Sequence, residues 1–263
     1  MRHTIASLVI VASLAACATT TSSTGRTQYV GAVSQQQLDQ LGAQAFTEAK
    51  QKGPLATDAR QNAYVRCVVD ALVRQLPANQ RGFAWESAVF AVNEPNAYAL
   101  PGGKVGINTG LFSVAKNQDQ LAAVVAHEIG HVVERHHDER ITRQMGASGA
   151  VQLLGALAGD YGQLATQGGS MLAQTGFLLP GSRAQETEAD VVGQRMMAQA
   201  GFDPRAAVAL WQNMIAAGGN RPPQWLSTHP DPQSRISELQ ARADQLTPVW
   251  EQARAAGRRP SCG

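Results

Sequence analysis

Aromatic residues make up only 5% of this 263-residue chain, and charged residues only 16%. The low charge, set against 44% hydrophobic residues, excludes an intrinsically disordered chain. The formal net charge is +2 and no stretch concentrates one sign, which argues against a nucleic-acid partner. Long apolar runs are missing as well. The run from Ile5 to Ala16 is too short to cross a bilayer as a mature helix. The stretch from Met145 to Pro180 is rich in Gly, Ala and Leu, but Asp160, Gln163 and many glycines interrupt it. No internal repeat is present. Cysteine occurs three times, at Cys17, Cys67 and Cys262, and each position carries an argument.

What is there begins with an export signal. MRHTIASLVIVASLAAC has a basic start at Arg2, an apolar stretch and small residues before Cys17. Leu14-Ala15-Ala16-Cys17 reads as a lipobox, so residues 1–16 are expected to be removed and Cys17 to be acylated. The alternative is an ordinary signal peptide with an incidental cysteine. Several acyl chains on one cysteine anchor far better than one. Ala18, in place of an aspartate, favours the outer membrane of a Gram-negative cell, facing the periplasm. ATTTSSTGRTQ then reads as a polar tether over residues 17–30, ahead of a single domain at 31–263. Export places Cys67 and Cys262 in an oxidising compartment, where a disulfide would tie the tail to an early helix; two free thiols are the alternative.

Hydrophobic periodicity and punctuation predict a mainly helical α+β domain with a small sheet. Helices are expected from Ser34, from Thr57, as one long helix from Asn117 through Ile141, from Ser182 to a glycine stop at Gly201, from Asp203, and over DPQSRISELQARADQL. FAWESAVFAV and AYALPGGKVGINTG supply strands around a Pro-Gly-Gly turn.

Four of the six histidines fall in AHEIGHVVERHH, residues 126–137. On a helix, His127 and His131 lie about 40° apart around the axis and can grip one ion. Glu128, beside His127, can reach a water at that ion without ligating it, the division of labour of zinc peptidases. A catalytic zinc takes three protein ligands. His137 would give a metzincin-like pattern, but Glu134 stands where that pattern has glycine. On a continuing helix His137 lies about 80° around and about 15 Å along from His127. His136 is worse placed, and both read as ordinary, partly exposed histidines. A later helix offers a carboxylate instead, in SRAQETEAD. Glu186 and Asp190 share a face, so a Glu ligand could be paired with an Asp that fixes the tautomer of a ligand histidine. Glu188 points away, toward a salt bridge or solvent, although spacing alone does not choose between the two glutamates.

HEIGH followed by SRAQETEAD resembles the zinc metallopeptidases (gluzincins) of the HtpX and CAAX prenyl protease type, whose pattern is HExxH…SRxxExxAD. NAYALPGGKVGINTGLF and THPDPQSRI extend the resemblance to roughly residues 30–245. The soluble periplasmic LoiP- and BepA-like members are the most similar. The resemblance implies a zincin-like metallopeptidase domain in which His127, His131 and Glu186 bind Zn²⁺. It further implies that Glu128 is the general base and that Asp190 supports a ligand histidine, His127 foremost.

The strands before the active-site helix could pair with an extended substrate, which implies unfolded clients and broad specificity. His229 has three readings: a donor to the oxyanion, a plug on the metal, or a loop cap. Arg235 could support either of the first two or a neighbouring carboxylate. Residues 145–180 could form a lid. The leading expectation is an outer-membrane-tethered zinc endopeptidase acting on misfolded or unassembled envelope proteins, with the outer-membrane assembly machinery as a further partner. The alternative is a non-proteolytic chaperone or assembly factor using the same cleft.

Overall fold

The computed structural model describes residues 18–157, 181–218, 225, 229 and 232–263, with backbone alone for 147–157, 218 and 232. The signal segment, Cys17 and the stretch 158–180, which holds most of the expected lid, lie outside the described residues. No helix among the described residues is long and apolar enough to cross a membrane.

A three-stranded sheet, β3 (Glu86–Phe90), β4 (Ala97–Leu100) and β5 (Lys104–Asn108), has the order β3-β5-β4. β3 runs parallel to β5, and β4 returns antiparallel to it with Ala99 opposite Val105. The β4–β5 turn uses Gly102 and Gly103 at φ 75° and 80°, a left-handed conformation that glycine adopts without steric cost. One face of the sheet is covered by α1 (Gln35–Lys52), through Leu38 and Phe46 packed with Phe90 and Leu100. Ser34 and Gln37 close a capping box at the start of that helix. On the opposite face Val105 and Ile107 join Val68 and Leu72 of α2 (Ala59–Val73) and Leu121, Val125 and Ile129 of α4 (Gln118–Val133). A short α3 (Ala78–Arg81) leads into β3. Beyond α4 the chain continues as α5 (His136–Leu157), α6 (Arg183–Ala200), α7 (Ala206–Gly218) and α8 (Pro232–Ala255). The architecture is α+β and mainly helical, as expected.

Three local expectations are corrected. Residues 18–30 are not a flexible tether: they form an antiparallel hairpin, β1 (Ala18–Thr21) and β2 (Thr27–Val30), with Ala18 opposite Val30. The polar side chains that made this segment look solvated instead bond to the helical body. Gln28 donates to the backbone oxygen of Glu134 at 2.8 Å, and the Ser23 amide donates to the Glu134 carboxylate at 2.9 Å.

Second, the expected long helix breaks. Arg135 takes φ 55°, and a new helix starts at His136. A non-glycine residue in that region costs about 1–2 kcal/mol. The hairpin holds it there through Gln28, which takes up the carbonyl of Glu134, the residue that caps the end of α4, and through the bond from the Gly31 amide to Asp138 at 2.9 Å. Third, α8 runs past the expected end near Leu246 to Ala255, with Pro248 inside it.

Cys67 of α2 and Cys262 are joined by a disulfide across 195 residues, with Cα atoms 5.5 Å apart. The tail also docks on the start of α4, where Gln118 bonds to the Pro260 carbonyl and the Cys262 amide.

Candidate metal centre

The site forms where α4 crosses α6. Asn117 caps the first of these helices, accepting from the Gln120 amide, and Ser182 with Gln185 closes a capping box on the second. Small residues let the two approach. A Cβ on Gly130 would lie 2.8 Å from the Ala189 oxygen, and one on Gly193 would lie 3.0 Å from the His127 amide. This closeness brings His127, Glu128 and His131 within reach of Glu186, whose position in the first turn of α6 suits a negative charge. Gly181 also has to be small, because a Cβ there would fall on Glu186 Oε1.

His127, His131, Glu186 and His229 are all buried, and one donor atom from each lies within 4.8 Å of every other. His127 Nε2 is 3.1 Å from His131 Nε2, 3.2 Å from His229 Nδ1 and 3.3 Å from Glu186 Oε2. His131 Nε2 is 3.6 Å from Glu186 Oε1, an oxygen with no hydrogen-bond partner among the described residues. A tetrahedral ion with bonds near 2.0–2.1 Å separates its donors by about 3.3 Å. Four buried donors within 4.8 Å of one another, beside a carboxylate oxygen without another partner among the described residues, fit a metal ion.

Each of the first two histidines is fixed from behind. His127 Nδ1–H donates to Asp190 Oδ1 at 2.9 Å, leaving Nε2 to face the site. Arg235 forks onto Asp190 at 2.7 and 2.8 Å, donates to Glu186 Oε2 at 2.9 Å and stacks on Trp211. Burial pushes the Asp190 carboxyl up, but Arg235 and His127 outweigh it and hold the group at about 2. Burial and Arg235 work against a charge on His127, yet Asp190 and Glu186 prevail and raise it to about 9. Burial and the neighbouring imidazoles push His131 well below its ordinary value, so it is neutral, as a ligand must be. Glu186 also lies well below the carboxylate range: burial opposes this, and His229 and His131 overcome it.

Glu128 stands beside the donor group without belonging to it. Its Oε1 accepts from Trp225 Nε1 at 2.8 Å and lies 3.3 Å from His229 Nε2. Trp225 is fully buried and was not singled out from the sequence; the only hint was its place one turn before His229, whose amide donates to its carbonyl at 2.9 Å.

His136 and His137 are buried, not partly exposed, because the break at Arg135 turns α5 back under the site. His137 stays outside the donor group. His136 touches it indirectly, with Nδ1 2.8 Å from His131 Nδ1 and Nε2 2.9 Å from Glu188 Oε2. Glu188 is in a salt bridge, as expected, but with Arg26 of the hairpin and in a buried position.

A family model for peptidase family M48 matches residues 59–243, which takes in both helices of the site. The chain belongs to peptidase family M48. Among curated relatives, it is 43% identical over 158 residues to the mitochondrial metalloendopeptidase OMA1 of Schizosaccharomyces pombe, covering 59% of this chain and 46% of that protein. It is 30% identical over 226 residues to the beta-barrel assembly-enhancing protease of Escherichia coli, covering 81% of this chain and 45% of that protein. OMA1 of Arabidopsis thaliana is 35% identical over 177 residues, covering 66% of this chain and 35% of the relative. The chain thus spans about half the length, or less, of these relatives.

Proposed function

We propose that the chain is a zinc-dependent endopeptidase of the bacterial envelope that hydrolyses peptide bonds in misfolded or unassembled proteins. The observation that carries this reading is the convergence of His127, His131, Glu186 and His229, with donor atoms within 4.8 Å of one another and the Glu128 carboxylate alongside. Imidazole nitrogens with one carboxylate oxygen are the donor set of catalytic zinc. A bound Zn²⁺ supplies Lewis acidity toward a water and a peptide carbonyl. His127, His131 and Glu186 would hold the ion. Glu128 takes the proton of the attacking water and passes it to the departing amine nitrogen. Asp190, stiffened by Arg235, keeps His127 in the tautomer that offers Nε2. His229, whose Nδ1 lies 3.2 Å from His127 Nε2, would also reach a bound ion and would have to withdraw for water and substrate to enter. The edge strand β4, packed along α4, accepts an extended client by strand pairing.

Acylation of Cys17, which lies outside the described residues, places the enzyme on the periplasmic face of the outer membrane. The Cys67–Cys262 disulfide supports an oxidising compartment. The Escherichia coli relative, a beta-barrel assembly-enhancing protease, supports the envelope setting and outer-membrane assembly machinery as a partner. Incorporation of labelled palmitate into the intact chain, lost in Cys17→Ser, tests the anchor.

The decisive experiment on chemistry uses purified protein and casein. Degradation should stop on chelation. Glu128→Gln should retain one zinc per chain by elemental analysis while losing turnover by about 10²–10⁴-fold. Full activity in Glu128→Gln would overturn the assignment. Client binding without cleavage by the wild type would favour the chaperone alternative.

A further inference from the structure

The two histidines of α4 are braced in parallel ways, and the second brace leaves the helical body. For His127 it is a carboxylate, Asp190, and a guanidinium, Arg235. For His131 it is His136, then Glu188, then Arg26, which sits between the strands of the N-terminal hairpin. Arg26 binds Glu188 through Nε and Nη2, each at 2.8 Å, and Glu139 through Nη1 and Nη2 at 2.6 and 2.8 Å. Thr24, in the same turn, donates to Glu188 at 3.0 Å. We propose that this hairpin is an arm of the metal centre: Arg26 orients Glu188, Glu188 orients His136, and His136 fixes the tautomer of His131 that presents Nε2 to the ion.

The chemistry allows one consistent proton arrangement. If His131 ligates through Nε2, its Nδ1 carries the proton and donates to His136 Nδ1. His136 then carries its own proton on Nε2 and donates it to Glu188. Every donor meets an acceptor only while the Glu188 carboxylate faces His136. Glu188 and Glu139 are both buried, and the hairpin's one guanidinium bridges them. Without Arg26 the two carboxylates repel each other across the gap it filled, Glu188 swings, and the acceptor for His136 is lost. Gln185 and Arg143 also hold Glu139, whereas Glu188 is tied to the hairpin by Arg26 with help from the Thr24 and Ser22 hydroxyls, of which only Arg26 carries charge. Arg26, Glu188 and His136 are thus positioning residues, acting on the ion through His131.

This inference rests on the metal site proposed above, and the test separates the two. Zinc affinity is measured by chelator competition, and ligand geometry by the visible spectrum of the Co²⁺-substituted protein. Arg26→Gln and Glu188→Gln are each expected to weaken zinc binding by about 10–100-fold and to alter the Co²⁺ spectrum. The double variant should be no weaker than the worse single, since both cut one chain. Arg26→Lys, which keeps the charge but loses the fork, should be intermediate; it carries the test if Arg26→Gln does not fold. On casein, kcat at saturating zinc should fall with little change in KM. Ser34→Ala removes the N-cap of α1, away from the relay, so it should lower thermal stability while zinc affinity stays at the wild-type value. Wild-type zinc affinity in Arg26→Gln, alongside loss of zinc in Glu186→Ala, would overturn the arm. An equal loss in Ser34→Ala would reduce it to general stabilisation. Undiminished zinc in Glu186→Ala would overturn the site itself.

Discussion

At the scale of the residue, His229 shows how far spacing can carry a reading. His127 and His131 were legible because helical geometry puts positions four apart on one face. Glu186 needed the motif resemblance, since Glu188 satisfies the same sequence constraints. His229 kept three roles open because its partners come from two distant helices and a tryptophan. The structure places its Nδ1 2.9 Å from Glu186 Oε2 and among the donors. A ligand that blocks the water's place should restrain turnover. His229→Ala is therefore expected to bind zinc somewhat more weakly and to cleave unfolded casein faster at saturating zinc. A drop in kcat with zinc retained would instead identify an oxyanion donor, and unchanged kinetics would leave a loop cap.

At the scale of the element, the site depends on how closely α4 and α6 pack. Gly130 and Gly193 were in view in the sequence, but a glycine within a helix reads as a weakness until its neighbour is known. Gly130→Ala should force the helices apart against backbone, costing about 1–3 kcal/mol and weakening zinc binding as Glu186 recedes. Gly146→Ala, where an added Cβ meets nothing within 4 Å, should leave both unchanged or slightly raise stability. Thermal melts and chelator competition on the pair separate a packing effect from a general loss of glycine. The same limit explains the break at Arg135. Glu134 is a good helix former, and nothing local ends the helix there. The cause is the hairpin, whose Gln28 lies 106 residues away from Glu134. Low charge, high threonine and serine content and absent periodicity made that hairpin look like solvent-exposed chain. Its order comes from long-range ion pairs that no local pattern encodes.

At the scale of the whole molecule, the disulfide joins α2 to the tail that caps the start of α4, so it closes most of the folded chain into a loop. Chain-entropy reasoning puts its stabilisation at up to about 5 kcal/mol for a loop of this length. Replacing both cysteines by serine should lower stability by about 2–5 kcal/mol while sparing cleavage at low temperature, because the bond lies away from the donor group; denaturant titration with a parallel casein assay checks both. Loss of activity at a temperature where the variant stays folded would contradict that separation. The other end of the chain has a different consequence. Strand β1 starts at Ala18, one residue after the proposed acylated cysteine. A single residue spans about 3.4 Å, so an acyl chain on that cysteine would leave the enzyme almost no leash. Its mouth would ride at a fixed height above the headgroups. Clients would be chosen by where their loose segments emerge along the bilayer surface, and a protein wandering free in the bulk periplasm would be a poor target however unfolded it was.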